Sequence, residues 1–419
     1  MNRSLSLIVL AALLAGLLAG AWIRATGNPT LAGAADVVSA FGGLWLNALR
    51  MVVIPLVFSL LVVGIASVAD ATATGGLVAR AVLLFTVLLV GAALFTIGLV
   101  NAWLSLWPVA RDAASSFIAG AGGSAPQITA PPSFADWLQG LAPSNPVASA
   151  ADDKVLPLVV FAVFFGFAAT KLNAQMRESL VSFFRAVSEA MIVIVQWVLL
   201  AGPIGVFALS LGVGAHTGFQ AAGTIAHYII VVTGALAAST VLAWIIAVTW
   251  GRQPVGTFSN AATPVWAIAF STQSSLASLP AMIEAAREGL KIPERVVDVI
   301  LPLAVAVFRF TSPVGNLAVC YFIAHLYGLH PSLLQTASGV AVAYAMSIGA
   351  VGLPGQVSYI SSIAPICLAL GVPTDLLGIF LAVEVVPDIF RTLGNVTGDL
   401  AATSILARGE KASASTAPA

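Results

Sequence analysis

Apolar runs of about twenty residues recur along this chain, and that pattern leaves few folds open. Inside lipid every backbone N–H and C=O has to be satisfied by the protein itself, so continuous apolar runs of this length become helices. Read between polar breaks, the spans fall near 5–23, 43–68, 79–106, 154–172, 187–213, 223–250, 297–326 and 374–406. The 419 residues are 59% hydrophobic and only 8% charged, too few charges to cover a soluble surface of that size. Lys+Arg and Asp+Glu both number 17, a balance that points to no nucleic-acid partner. Cys320 and Cys367 both sit in apolar surroundings and read as neither a disulfide framework nor a metal site.

The N-terminal stretch "MNRSLSLIVLAALLAGLLAGAWIRATG" has the basic start and apolar core of a signal peptide. Its apolar run reaches Ile23, long for that role, and more spans follow, so it is read as span one. Arg3, Arg80, Lys171, Arg177, Arg185, Arg252, Arg408 and Lys411 share one side if both termini are cytoplasmic. Arg24 and Arg111 dissent, and Arg50 is expected to snorkel to an interface. The Gly/Pro/Ser-rich segment 109–153 reads as an extracytoplasmic excursion carrying a short amphipathic helix at 134–141.

Two stretches do not behave as spans. "AFSTQSSLASLPAM" (269–282) places five hydroxyls and Gln273 in an apolar neighbourhood, and "SIGAVGLPGQVSYISS" (347–362) is broken by glycines, a proline and serines. Non-helical backbone at membrane depth is tolerated only in a protein-lined cavity, so both read as tips of re-entrant hairpins. They precede spans seven and eight, and paired interrupted segments of this kind point to an inverted repeat enclosing a transporter's substrate site. Span seven carries its own break: Pro313 cannot bond the Arg309 carbonyl, so the helix is expected to unwind over 309–312.

The last apolar stretch concentrates charge. Treated as one helix, it puts Glu384, Asp388, Arg391, Asn395 and Asp399 within an arc of about 80°. Each charge costs about 2.5–3.5 kcal/mol at the centre of a span unless paired or hydrated. A purely structural network, Arg391 tying Asp388 and Glu384, is the plain alternative, and the hydroxyls of 271–278 could be packing glue between helices. Broken hairpins beside the stripe favour a ligand cavity. The four histidines are scattered and read as packing or loop residues. No nucleophile–base pair or phosphate loop appears, which argues against an enzyme.

These residues resemble the glutamate transporter homologue family, the dicarboxylate/amino acid:cation symporters. The family's last span reads Asp-x-x-Arg-Thr-x-x-Asn-x-x-x-Asp, matched by Asp388, Arg391, Thr392, Asn395 and Asp399. "MVVIPLVFSLLVVGIAS", "SNPVASAADDKVLPLVVFAVFFG", "PIGVFAL", "STQSSLASLP" and "GLPG" extend the likeness over nearly the whole chain. The resemblance implies an all-α integral membrane protein of eight transmembrane helices plus two re-entrant helical hairpins, an inverted-repeat elevator transporter fold assembled as a homotrimer. On that pattern residues 1–78 hold scaffold spans one and two, 79–108 transport-domain span three, and 109–213 the excursion with scaffold spans four and five. Residues 214–407 form the transport-domain core and 408–419 a disordered cytoplasmic tail. The expected location is the inner membrane, with lipid around it.

The resemblance also assigns roles. Asp388 would take a substrate ammonium and Arg391 a side-chain carboxylate, to which its planar fork is suited. Thr392 and Asn395 would bond main-chain groups, Ser274, Ser275 and Ser312 would hold the α-carboxylate, and Leu353 at the second tip would close the lid. An acidic amino acid such as aspartate or glutamate is favoured over a plain C4-dicarboxylate, because Asp388 would repel a ligand lacking an ammonium. A dicarboxylate symporter of the same fold, or a channel or receptor built on it, is the competing reading.

The departures bear on energy coupling. Where the family has Asn-Met-Asp-Gly-Thr in span seven this chain has Phe308-Arg309-Phe310-Thr311-Ser312, and Val87, Val90 and Gly91 are aligned with the sodium ligands of span three. Sodium sites use hard oxygen ligands, which these side chains lack. Sodium coupling is therefore expected to be reduced or absent, with Arg309 as a built-in cation for Asp399 beside Asn395; the plain alternative is that Arg309 faces a water-filled cavity or lines an anion path. Protons are the expected alternative, carried by Glu384, and no other cofactor is implied.

Overall fold

The computed structural model describes residues 3–73, 76–123, 133–349 and 355–415, and among them the secondary structure is helical throughout. The first group of elements is α1 (Arg3–Thr26), α2 (Pro29–Arg50), α3 (Val53–Ala73) and α4 (Gly76–Leu106). Asn28 caps α2 by accepting from the Thr30 and Leu31 N–H groups, with Pro29 at the first helical position where a missing donor costs nothing. The 109–153 segment forms three short helices, α5 (Arg111–Gly120), α6 (Phe134–Gly140) and α7 (Pro146–Ala151). Then come α8 (Val155–Ala169), α9 (Ala174–Leu200), α10 (Gly202–Thr217) and α11 (Gln220–Thr249).

The C-terminal half consists of two similar units. In the first, α12 (Val255–Thr272) and α13 (Ser275–Glu284) make a helical hairpin, continued by a π-helical turn, Ala285–Gly289. A long helix follows, split into α14 (Glu294–Val307) and α15 (Ser312–Leu326). In the second, α16 (Leu333–Gly349) packs on α17 (Gly355–Leu370), and α18 (Leu377–Leu381) is followed by α19 (Val385–Ser415). The tip of this second hairpin, with Leu353, lies outside the described residues.

Among the described residues six helices are long and apolar enough to cross a membrane: Leu7–Thr26, Pro29–Ala69, Gly76–Leu106, Ala174–Leu200, Gln220–Thr249 and Glu294–Leu326. Three spans expected as single runs are divided, that near 43–68 at 51–52 between α2 and α3. That near 187–213 turns at Ala201 between α9 and α10, ahead of Pro203, and that near 374–406 is interrupted at 382–384. The tail expected to be disordered from 408 is helical to Ser415, its Ala, Glu and Lys residues being good helix formers.

Nor is the 109–153 segment a free excursion throughout. A Cβ on Gly120 would lie 2.6 Å from the Val213 Cα, so α5 meets α10 backbone to backbone. Trp137 of α6 donates its indole N–H to the Ser338 hydroxyl of α16 at 2.9 Å. Arg50, expected to snorkel, instead pairs with Asp375 at 2.8 Å, joining the end of α2 to the turn before α18. Cys320 and Cys367 are free thiols whose Sγ atoms lie 3.2 Å apart, so residues that looked unrelated sit together where α15 meets α17. A buried aromatic cluster holds the C-terminal elements in place. Tyr228 of α11 stacks on Phe380 of α18 at 4.0 Å, meets Phe322 of α15 edge-on at 5.4 Å, and bonds Tyr359 of α17 through their hydroxyls at 3.1 Å.

Candidate functional site

The break in span seven covers residues 308–311, one residue earlier than expected, with Ser312 and Pro313 opening α15. Pro313 is harmless there because the first turn of a helix leaves its N–H groups unused. The freed strand is held against α19. The Thr311 N–H donates to Asn395 Oδ1 at 2.9 Å, and its hydroxyl lies 2.8 Å from both that oxygen and the Arg391 carbonyl. Close approach requires glycine on α19: a Cβ on Gly394 would lie 2.3 Å from Thr311 Cγ2, and one on Gly398 2.8 Å from Phe310 Cβ. Small residues one turn apart are how helices in membranes let another backbone draw near.

Arg391 occupies the centre. Its Nη2 donates to Glu384 Oε1 at 2.8 Å, its Nη1 to Asn316 Oδ1 at 3.2 Å, and its Nε lies 3.9 Å from Asp388 Oδ1. The Asn316 amide in turn donates to the Ser312 hydroxyl at 3.4 Å. The guanidinium and both carboxylates are largely removed from solvent, so each is worth more electrostatically than it would be in water. Glu384 is not a member of the helical stripe: it sits in the turn between α18 and α19 and reaches Arg391 from beyond the end of the helix. Its second oxygen, Oε2, is buried without a hydrogen-bond partner among the described residues.

The expected site residues divide accordingly. Asp388, Arg391, Glu384, Ser312 and Asn395 come together around the break in span seven. Thr392 is buried and spends its hydroxyl on the Asp388 carbonyl at 3.0 Å, an ordinary bond back along its own helix. The Asn395 oxygen is taken by Thr311, which leaves its amide nitrogen as the group for a ligand. At the tip of the first hairpin Gln273 adopts the left-handed conformation (φ 54°) and Ser274 caps α13 by accepting from the Ala277 N–H at 3.2 Å. Ser274 and Ser275 make no direct bond to the Arg391 cluster among the described residues, although α13 packs on α19. Asn316 and Gly315 escaped the sequence reading. The signal available was spacing, since Asn316 follows Ser312 by four residues and shares its helix face.

The other half of the stripe is quiet. Asp399 is 1% exposed and neither carboxylate oxygen has a hydrogen-bond partner among the described residues. Arg309 lies half-buried in the break and donates no hydrogen bond to either oxygen. Around them the break is lined with rings: Phe308 stacks on Phe85 of α4 at 4.4 Å and 14°, and Phe310 lies 5.9 Å from Phe308. This corrects the assignment of α4. Val87 is 52% exposed and a Cβ on Gly91 would touch nothing, whereas Phe85, Leu88 and Leu89 form the buried face. Two residues along a helix is a rotation of about 200°, so Val87 and Gly91 stand on the side away from Phe85 and Leu89. The side chains of Phe85, Leu88 and Leu89 on the buried face offer no oxygen ligand.

Residues 5–409 match the model of the sodium:dicarboxylate symporter family. The chain belongs to that family. It is 30% identical over 423 residues to the proton/glutamate-aspartate symporter of Escherichia coli (strain K12), covering 97% of this chain and 93% of the relative. Human neutral amino acid transporter B(0) is 30% identical over 438 residues, covering 96% of this chain and 79% of the relative. The proton/sodium-glutamate symport protein of Bacillus caldotenax is 26% identical over 408 residues, 95% of this chain and 92% of the relative. The sodium:dicarboxylate symporter family is one of transporters, not enzymes, and its relatives carry dicarboxylates or amino acids across membranes.

Proposed function

We propose that this chain is a secondary carrier for acidic amino acids. The observation that carries the reading is the Arg391 guanidinium, held beside Asp388 and bridged to Glu384 and Asn316 at the unwound segment of span seven. An acidic amino acid brings an ammonium for Asp388 and a side-chain carboxylate for Arg391, so each buried charge gains its complement. A plain dicarboxylate would leave Asp388 facing another anion. A neutral amino acid would leave Arg391 with no ligand carboxylate beyond the α-carboxylate. Ser274, Ser275 and Ser312 would hold that α-carboxylate and the Asn395 amide would support it. The tip around Leu353 would close over the ligand. The two hairpins, entering the membrane from opposite sides, would travel with α4, α11, α14, α15, α18 and α19 as the moving part of a trimeric inner-membrane elevator with cytoplasmic termini.

Coupling would differ from that of sodium-driven relatives. Phe85, Phe308 and Phe310 fill the region where oxygen ligands would be needed, and Arg309 supplies Asp399 with a positive charge that is part of the chain. Protons would drive uptake, with Glu384 released from Arg391 when the ligand carboxylate takes its place. The test is counterflow in liposomes, with sodium, potassium and pH varied separately. Saturable exchange of labelled aspartate or glutamate in sodium-free buffer is the expected result. Steep sodium dependence with a Hill slope of several ions would defeat the coupling scheme, and non-saturable conductance would make the protein a channel.

A further inference from the structure

The position of the Arg391 guanidinium depends on a residue that makes no bond to it. A Cβ built on Gly315 would lie 2.6 Å from Nη1, 2.7 Å from Nη2 and 2.8 Å from Cζ. Three nearly equal distances place that Cβ over the flat face of the guanidinium, so the group lies against the bare backbone of α15. Its terminal nitrogens are then held in the plane of the group, Nη1 by Asn316 on α15 and Nη2 by Glu384. The other face is turned away from α15, and Asp388 stands near Nε.

We propose that Gly315 is a specificity-determining residue: by letting the guanidinium sink onto α15 it deepens the site and favours the longer acidic amino acid, glutamate, over aspartate. The inference rests on the acidic-substrate reading above. Ordinary contact begins at 3.4 Å, so a methyl group at this position moves the guanidinium by about 0.7 Å toward the ligand. That is a large fraction of the ~1.5 Å carbon–carbon bond by which the two acids differ. The guanidinium is the far end of a flexible side chain, so it can give way without disturbing the helix. Gly315→Ala is therefore expected to fold and to bind differently.

The experiment measures aspartate and glutamate binding to the purified full-length carrier in detergent, for the parent and for Gly315→Ala. Size-exclusion profile and thermal midpoint serve as checks on folding. The expected result is a preference shifted toward aspartate by about five- to tenfold, the worth of one ordinary hydrogen bond, since the charged contact is displaced and not lost. Asn316→Ala, which frees Nη1, should shift the ratio in the same direction and guards against a misfolded first variant. An unchanged ratio in both variants overturns the inference, whether the affinities hold or fall together, since equal weakening marks a packing role alone. A parent that binds neither acid overturns the acidic reading itself and takes this inference with it.

Discussion

Replacing Arg309 by Met tests whether this carrier holds its own cation. Asp399 is 1% exposed and both of its oxygens lack hydrogen-bond partners among the described residues, so on the proposed scheme the Arg309 charge is what offsets its burial. Removing one member of a buried pair costs about 3–5 kcal/mol, because the other charge is left uncompensated. The carboxylate has another way out. Placing a proton at pH 7 on a carboxyl of ordinary affinity costs about 4 kcal/mol. The two penalties are of the same size, so Arg309→Met should accept whichever neutraliser is offered, a proton or a small cation. In detergent, followed by tryptophan fluorescence, the variant should unfold at a clearly lower temperature than the parent at neutral pH in choline chloride. Acidification or added sodium should restore much of the loss. The parent should be indifferent to sodium, and Asp399→Asn in the Arg309→Met background should remove both the loss and the sodium response. An Arg309→Met protein as stable as the parent, transporting equally well in sodium-free buffer, would refute the reasoning.

Asp388→Asn should weaken binding of acidic amino acids roughly ten- to hundredfold while folding is spared, since one charged hydrogen bond is lost; a competition assay in detergent reads this directly. Glu384→Gln should leave exchange of internal and external substrate intact but abolish uphill uptake driven by an imposed pH gradient, measured in proteoliposomes. Thr311→Val removes one hydroxyl donor shared between Asn395 Oδ1 and the Arg391 carbonyl, while the Thr311 N–H still serves Asn395. It should cost about 0.5–1.5 kcal/mol of stability, seen as a lowered thermal midpoint.

How much of this was legible beforehand differs from residue to residue. Pro313 announced the break in span seven, and the structure unwinds residues 308–311 just ahead of it, because proline's missing donor and its clash act locally. The hydroxyl-rich tip at 271–278 likewise declared itself, since polar backbone and side chains at membrane depth have few places to go. Asp388 and Arg391 were visible as charges too costly to be incidental. Glu384 was seen but misplaced. Nothing local says that the helix stops at Leu381 and resumes at Val385, and the turn there is set by α18 packing under Tyr228. The α4 assignment failed for a related reason. The apolar run 79–106 has little amphipathic contrast, so its sequence does not reveal which face is buried, and only the stack of Phe85 on Phe308 fixes its rotation.

By itself the sequence determined that the chain is a bundle of membrane helices with two interrupted hairpins and a charged last span, because hydropathy, proline and buried charge are properties of short segments. Tertiary structure alone decided what each charge meets. Arg391 is bonded to Asn316, Thr311 to Asn395, Arg50 to Asp375 and Cys320 lies against Cys367 through contacts between distant segments, and no periodicity within one helix encodes such a pairing. The placement of the guanidinium on the bare backbone at Gly315 is of the same kind: it depends on two helices approaching closely enough for a missing side chain to matter.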